Sequence, residues 1–493
     1  MNIRLYLSGL LAAVMLVAVF ASCGDASSSD PAADTAPSGG SPSDEPGEEV
    51  TETEPELKDA VPESLNFNGS DFVILAADMY GAQSLVEGLN GEVFNDATYN
   101  VELYAEERLN VKISEVLKGN MVSAAVKLVQ SGDATYDAIS MTDRESRAVA
   151  QKGIFFPMYK VPYIDLDQKY WGESLRRDLS FGGKDYFAIS SFNLYSLERT
   201  THLLFNEKVA GNYGVTVPWD DVFGGTWTQE KLASYGSVAT ADINGNGEMD
   251  SGDSYTYGAC DARDITDKFM YASGCKWIDI GDDGYPYVCF YGSEKLINSL
   301  EWTKKVFLFE NSLDRDAFQK DFDNINALLE LFIDDRELIN INEFRNINRL
   351  RDMESDFSIL PLPKYDESQP NYCSYTSNVI FTMVPLTETD LEKAGAVQEV
   401  MCCQAYKKML PAYIEEAMKN KIARNNESAE AIQIIFDTRA YDLGKLYLFD
   451  TLSGTTSAPL KKGKSVIPDL EAKREKIDLS LQKIIDELKT TEG

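Results

Sequence analysis

The chain has 493 residues, of which 80 are Asp or Glu, 46 Lys or Arg and one His, giving a formal charge of −34 at pH 7. A surface this acidic repels phosphate backbones and anionic headgroups, which excludes nucleic acid and anionic membrane surfaces as partners. The one histidine, His202 in the apolar run TTHLLFN, reads as a satisfied core residue and leaves histidine-paired serine or cysteine hydrolysis with no second candidate.

In chain order, Arg4 leads into the uncharged run LYLSGLLAAVMLVAVFAS, which ends on small residues before Cys23. That is the charged, apolar and small-residue order of a signal peptide, residues 1–22, and it is set aside from fold reasoning. The ending FASC resembles a bacterial lipobox, which implies a lipid on Cys23 and a place on the extracellular face of the bacterial cell membrane. An uncleaved anchor is the alternative, since the run is nearly long enough to span a bilayer. Residues 24–57 carry ten Asp or Glu and no Lys or Arg among Ser, Pro, Gly and Ala. Such a segment buries too little apolar surface to offset the cost of ordering, so residues 23–62 are expected to form an acidic disordered tether.

The remaining body, over 400 residues, exceeds one ordinary core and predicts two lobes. FVILAA (72–77) reads as a buried strand, 98–110 as a helix, 111–116 as a strand, 121–132 as a helix ending at Gly132, and 136–141 as a strand. Strands and helices alternating at this spacing predict an α/β fold with mostly parallel sheets. Ligands of such sheets sit beyond the carboxyl ends of the strands, which places Met79–Tyr80 and Thr142–Asp143–Arg144 at a candidate site. Six further cysteines (260, 275, 289, 373, 402 and 403) show no CxxC spacing and allow too many pairings for any bridge to be named.

Residues 242–253, DINGNGEMDSGD, follow the spacing of a calcium loop. Asp242, Asn244 and Asn246 stand at alternate positions, Gly247 at the sharp turn, Glu248 where a backbone carbonyl serves, and Asp250 and Asp253 at the ninth and twelfth places. The sequence that follows, SYTYGAC, is not helical, so the loop reads as a static calcium clip rather than a sensor, which needs two helices. A turn closed by its own side chains is the alternative.

The segment YDAISMTDRESRAVAQKGIFFPM (136–158) resembles extracellular solute-binding proteins of ABC importers, where a strand, a helix and a Gly-apolar-apolar-x-Pro turn follow one another. GGKDYFAISSFNLYSLERTTHLLFNEKVAGNYGV (182–215) is similar to the family's first crossing between lobes, with Phe205–Asn206–Glu207–Lys208 at its strand end. Trp227 stands for the family's Trp at the next helix, LRDMESDFSILPLPKYDESQPNY (350–372) resembles the return crossing, and TRAYDLGKLY (438–447) resembles a late segment of lipoprotein members. The resemblance covers most of residues 66–450 and is to the sugar-binding, maltose-binding-protein-like type. It implies two α/β lobes closing by a hinge on a ligand: lobe 1 from 63–190 and 360–412, lobe 2 from 191–359 and 413–493. It further implies a monomer that carries a carbohydrate, an oligosaccharide more than a monosaccharide, to membrane permease subunits.

In the resemblance Asp143 and Arg144 fall where sugar-binding members place an Asp-Arg pair on hydroxyls. A carboxylate accepts from adjacent hydroxyls and a guanidinium donates in a planar fork; a helix-terminal carboxylate beside a surface ion pair is the alternative. A sugar's C–H face packs on a flat ring, so Tyr80, Trp171, Tyr195, Trp219, Trp277 and Tyr375, in loop-like or crossing segments, are the aromatic candidates. Asn378 and Glu198 also lie near the crossings. Trp227 and Trp302 sit on helical patterns and predict packing, and Arg351 and Arg439, each near an aspartate, predict buried ion pairs more than cleft contacts. Two other classes are compatible with this composition: a secreted glycoside hydrolase, which needs only two carboxylates, and a surface adhesin, which would need repeats that the chain lacks. The discriminator is turnover, because an importer's binding subunit leaves its sugar unchanged.

Overall fold

The computed structural model describes residues 57–79, 83–146, 148–149, 152–176, 178–180, 185–260, 262–310, 312–314, 329–417, 426–452 and 455–490. The signal run, Cys23, most of the tether and Tyr80 lie outside them. Residues 57–62, placed in the tether by composition, belong to the folded body. Val61 is buried in the core and Asp59 pairs with Arg108 at 3.1 Å.

The early strands are β1 (Ser70–Ala77), β2 (Val111–Lys118), β3 (Ala138–Thr142) and β4 (Phe155–Phe156). The middle of the chain supplies β5 (Thr201–Asn206), β6 (Tyr255–Cys260), β7 (Ile278–Ile280), β8 (Pro286–Val288), β9 (Ser312–Asp314) and β10 (Glu337–Glu343). β11 (Phe357–Leu360), β12 (Ser374–Tyr375), β13 (Ile380–Pro385) and β14 (Arg439–Ala440) follow.

Two five-stranded sheets organise the body, in the orders β2-β1-β3-β13-β4 and β11-β5-β10-β6-β9. In the first, β1 pairs parallel with β2 and β3, while β13 is antiparallel to both β3 and β4. In the second, β10 and β9 are parallel to β6, and β5 is antiparallel to β10 and β11. Each sheet therefore has four strands in one direction and a single reversed one. The reversed strands are those the chain enters after crossing from the other sheet. The other strands end at the facing edge between the sheets. A chain that arrives there directly must start at that edge and run away from it.

Local chemistry explains the early elements. Phe72, Ile74, Leu75 and Ala76 of β1 and all of β3 are buried, which suits strands covered on both faces. The helix Val93–Leu109 closes on Asn110 in the left-handed region (φ 51°), and its apolar stripe packs on the long helix Leu391–Ala417. The helix Met121–Ser131 is capped by Asn120, which accepts from the Ser123 amide. It stops at Gly132 (φ 67°), where a side chain would be strained.

The crossing segments run antiparallel, with backbone pairing at Ala188–Thr382 and Thr200–Thr376. One apolar cluster links the first sheet (Leu75, Ile139, Phe381) with Tyr271 and Trp277 and with the C-terminal helix Ile467–Thr490 through Ile477 and Leu481. Among the described residues no helix is long and apolar enough to cross a membrane, and five cysteines (275, 289, 373, 402 and 403) are free.

Candidate functional site

β3 ends on Thr142, whose side chain and that of Glu145 cap the short helix Asp143–Ser146 reciprocally. The Glu145 amide donates to Thr142 Oγ1 (3.2 Å), and that hydroxyl donates to Glu145 Oε2 (3.0 Å). The cap fixes Asp143 at the carboxyl end of the strand. Asp143 is only 7% exposed; its Oδ1 accepts from the Arg144 amide at 2.7 Å and its Oδ2 from the Tyr441 hydroxyl at 3.0 Å. The Arg144 side chain is exposed beside it.

Tyr441 and its neighbour Asp442 join this carboxylate to the rest of the site. Asp442 accepts from the Tyr271 hydroxyl (3.0 Å) and from the amides of Trp277 (2.5 Å) and Gly444 (2.6 Å). Burial nevertheless lifts its carboxyl to about 6. Tyr271 stacks on Tyr375, with centroids 4.5 Å apart and planes 9° apart. Lys445, paired with Asp267, lies 5.4 Å over the Tyr375 ring. On the other side Tyr195 carries Arg199 over its ring at 4.7 Å, and burial raises its hydroxyl pKa. The Asp143 charge, which also pushes that hydroxyl up, acts across the same space. Asp143, Tyr195 and Tyr375 thus lie in one buried polar-aromatic layer, completed by Tyr271, Tyr441, Asp442 and Lys445, none of which sequence reasoning selected.

The other aromatic candidates fall elsewhere. Trp171 is buried in the first lobe's core and donates from Nε1 to Glu399 at 2.7 Å; Tyr170 donates to the same carboxylate. Trp277 packs edge-on against Phe290 inside the apolar cluster. Trp219 is half-buried and stacks on Phe223, 5.6 Å away, against the second sheet's core. Trp227 is buried, as its helical setting predicts, and donates to the Pro361 carbonyl. Trp302 packs on Phe269. Asn378 is half-buried and donates to its neighbour Ser377. His202 is core but not satisfied: neither ring nitrogen has a hydrogen bond of standard geometry among the described residues, and burial pushes its pKa down to about 3.

A cavity of about 1130 Å³ adjoins the buried layer. Its walls come from Asp167, Lys169, Gly172, Arg176, Asp178 and Ser180 of the first lobe, Lys276 and Lys295 of the second, the crossing residues Gln369–Cys373, and β14. Asp178 belongs to its wall, pairs with Lys276 and accepts weakly from the Tyr441 amide at 3.4 Å, so the cavity and the layer share a boundary. Arg439 also lines it. The expected buried ion pair at this arginine is not formed: the guanidinium donates Nε to the Phe436 carbonyl at 3.0 Å and has no ion-pair partner among the described residues. Burial pushes its pKa down to about 10. Arg351 is exposed and likewise unpaired, because it falls at the end of a surface turn of 3-10 helix.

The loop 242–253 is closed on itself. Asp242 accepts from the amides of Gly245 and Gly247, and Asp253 from those of Ile243, Asn244 and Asp250. Asp250 holds the side-chain amides of Asn244 and Asn246. Gly245 and Gly247 take positive φ, as the turn requires. Among the described residues no three His, Cys, Asp or Glu converge on a point where a metal could sit. The oxygens match calcium in kind, but to bind it they would have to turn from the loop's own amides.

No family model matches the sequence, and no curated protein is similar to it in sequence. Solved structures are similar in fold. A cyclo/maltodextrin-binding protein complexed with maltotetraose superposes with a TM-score of 0.54 at 14% identity, over 85% of this chain and 96% of that one. An ABC substrate-binding protein from Listeria monocytogenes in complex with cycloalternan gives 0.51 at 11%, over 85% and 99%. A maltose-binding periplasmic protein of the same organism, in complex with maltose, gives 0.51 at 11%, over 87% and 100%. The chain has their two-lobed α/β fold.

Proposed function

We propose that this protein is the substrate-binding lipoprotein of an ABC importer, which captures an oligosaccharide between its two lobes and hands it unchanged to a membrane permease. The observation that carries the reading is the fold agreement along nearly the whole length of proteins described as binding maltodextrin, maltose or cycloalternan. The candidate signal peptide, Cys23 and the acidic tether fit the same task, holding the body away from the extracellular membrane face.

In this reading the paired crossings act as the hinge, and closure brings the carboxyl ends of both sheets' strands together. Asp143 offers a carboxylate already oriented by Tyr441, and Arg144 offers a guanidinium at the exposed lip, so vicinal hydroxyls would meet an acceptor and a donor side by side. Tyr271 and Tyr375, stacked on each other and buried, brace the layer that holds this carboxylate. We assign calcium, as a structural clip, to Asp242, Asn244, Asn246, Asp250, Asp253 and the Glu248 carbonyl; it would brace the second lobe away from the site.

A thermal-shift screen of the protein against oligosaccharides, monosaccharides, amino acids and peptides tests the proposal. A ligand that binds only the native state raises the melting temperature by mass action. A shift with a glycan class, the glycan being recovered intact, is expected. Hydrolysis of the glycan, or a response to peptides alone, would overturn the reading.

A further inference from the structure

The cavity beside Tyr441 reverses the charge balance of the chain. Acidic residues outnumber basic ones 80 to 46 overall, yet its lining brings five cations (Lys169, Arg176, Lys276, Lys295, Arg439) against three carboxylates (Asp167, Asp178, Asp437). Pairing sharpens the imbalance. Arg176 is held by Asp167 and by buried Asp185, and Lys276 by Asp178. Lys169, Lys295 and Arg439 have no ion pair among the described residues, and Asp437, held at 2.9 Å by the Gln433 side-chain amide, is the single carboxylate of the lining left unpaired.

Arg439 is the best placed of these. It sits on β14, whose pairing with β12 fixes its backbone opposite Ser374, and its Nε bond to the Phe436 carbonyl sets the plane of the guanidinium. The residue lines the cavity, and its terminal nitrogens have no hydrogen-bond partner among the described residues. An oriented fork of two N–H donors is the group that receives a carboxylate in bidentate fashion. The partial desolvation that lowers its pKa is a cost that an incoming anion would relieve. The volume, slightly above the range of about 300–1,000 Å³ usual for small-molecule sites, suits a ligand of several sugar rings.

We infer that this cavity takes an oligosaccharide bearing carboxylates, an oligouronate, with Arg439 receiving one carboxylate and Lys295 and Lys169 the field of the others. The inference rests on the proposed sugar-binding function and narrows its substrate class. A neutral sugar would leave three cations in the cleft against the single carboxylate of Asp437.

The test is calorimetric titration of the full chain with trimers of galacturonate, glucuronate and mannuronate, and with maltotriose and cellotriose as neutral partners of matched size. At least one uronate trimer is expected to bind more tightly than either neutral trimer. Arg439→Gln should weaken that binding about 10- to 100-fold, the equivalent of one charge-assisted bond. Lys169→Gln, at an exposed position that cannot disturb folding, should weaken it a few-fold at low salt and much less at high salt. Binding of neutral trimers alone, or of uronates with no response to either variant, overturns the inference and leaves the sugar-binding function standing. No binding by either set overturns the inference, and silence across the wider oligosaccharide panel overturns the sugar-binding function as well.

Discussion

Glu198 gives the account a sharp pH test. It is 6% exposed and makes no hydrogen bond or ion pair among the described residues. The two arginines near it both serve Glu343 instead, Arg199 at 3.4 Å and Arg345 at 2.9 Å. Burial lifts its carboxyl from the ordinary 4.5 to about 7, against a smaller downward pull from those arginines. Because the folded state holds this proton more tightly than the unfolded state, the stability it confers is complete below about 4.5. It is lost as the pH rises through about 7. At about 1.4 kcal/mol per pH unit, that interval corresponds to about 3 kcal/mol. Glu198→Gln keeps the shape and cannot ionise. Urea unfolding between pH 4.5 and 8 should show the variant and parent close together at the acid end, with the variant gaining up to about 3 kcal/mol at pH 8. An advantage that does not change with pH would refute the reasoning. So would a variant less stable than the parent at pH 8, which would mean that the arginines outweigh burial.

His202 should act in the opposite sense. Its folded pKa of about 3 lies below the ordinary 6.5, so stability present above 6.5 is lost as the pH falls. Relative to His202→Asn, the parent should lose about 2–3 kcal/mol between pH 6.5 and 4.5 in the same urea assay. Trp171→Phe leaves the buried Glu399 carboxylate short of a donor and should cost about 1–3 kcal/mol while sugar affinity, read by titration, stays unchanged. Calcium added to chelator-treated protein should raise the melting temperature, and Asp242→Asn combined with Asp253→Asn should abolish the rise. No rise in the parent would leave the loop as the self-closed turn.

The first sheet was legible because β1 to β3 are short apolar runs separated by helix-period segments, a local signal. The reversed strands β5 and β13 were not, because their direction follows from where the chain enters the sheet. Asp143 lies at the strand end where its position in the sequence places it, and Tyr195 and Tyr375, picked for lying near crossings, fall in the same buried layer. Trp171 and Trp277 passed the same filter and proved to be core. An irregular segment does not say which way a ring turns, and Trp171 meets its partner Glu399 only 228 residues later. Tyr441 was missed although TRAYDLGKLY was singled out. An aromatic beside an aspartate and four residues before a lysine was the available signal. Arg439 in the same segment was assigned an ion pair because sequence proximity to Asp437 says nothing of whether two side chains meet.

The central claim is that a carbohydrate is held between the lobes and released unchanged. Titration calorimetry of the full chain against an oligosaccharide panel, with mass spectrometry of the recovered ligand, tests it most directly. The account predicts saturable one-to-one binding to a glycan that returns with its mass intact. Shortened products, or no heat from any glycan at concentrations that saturate a binding protein, would contradict it.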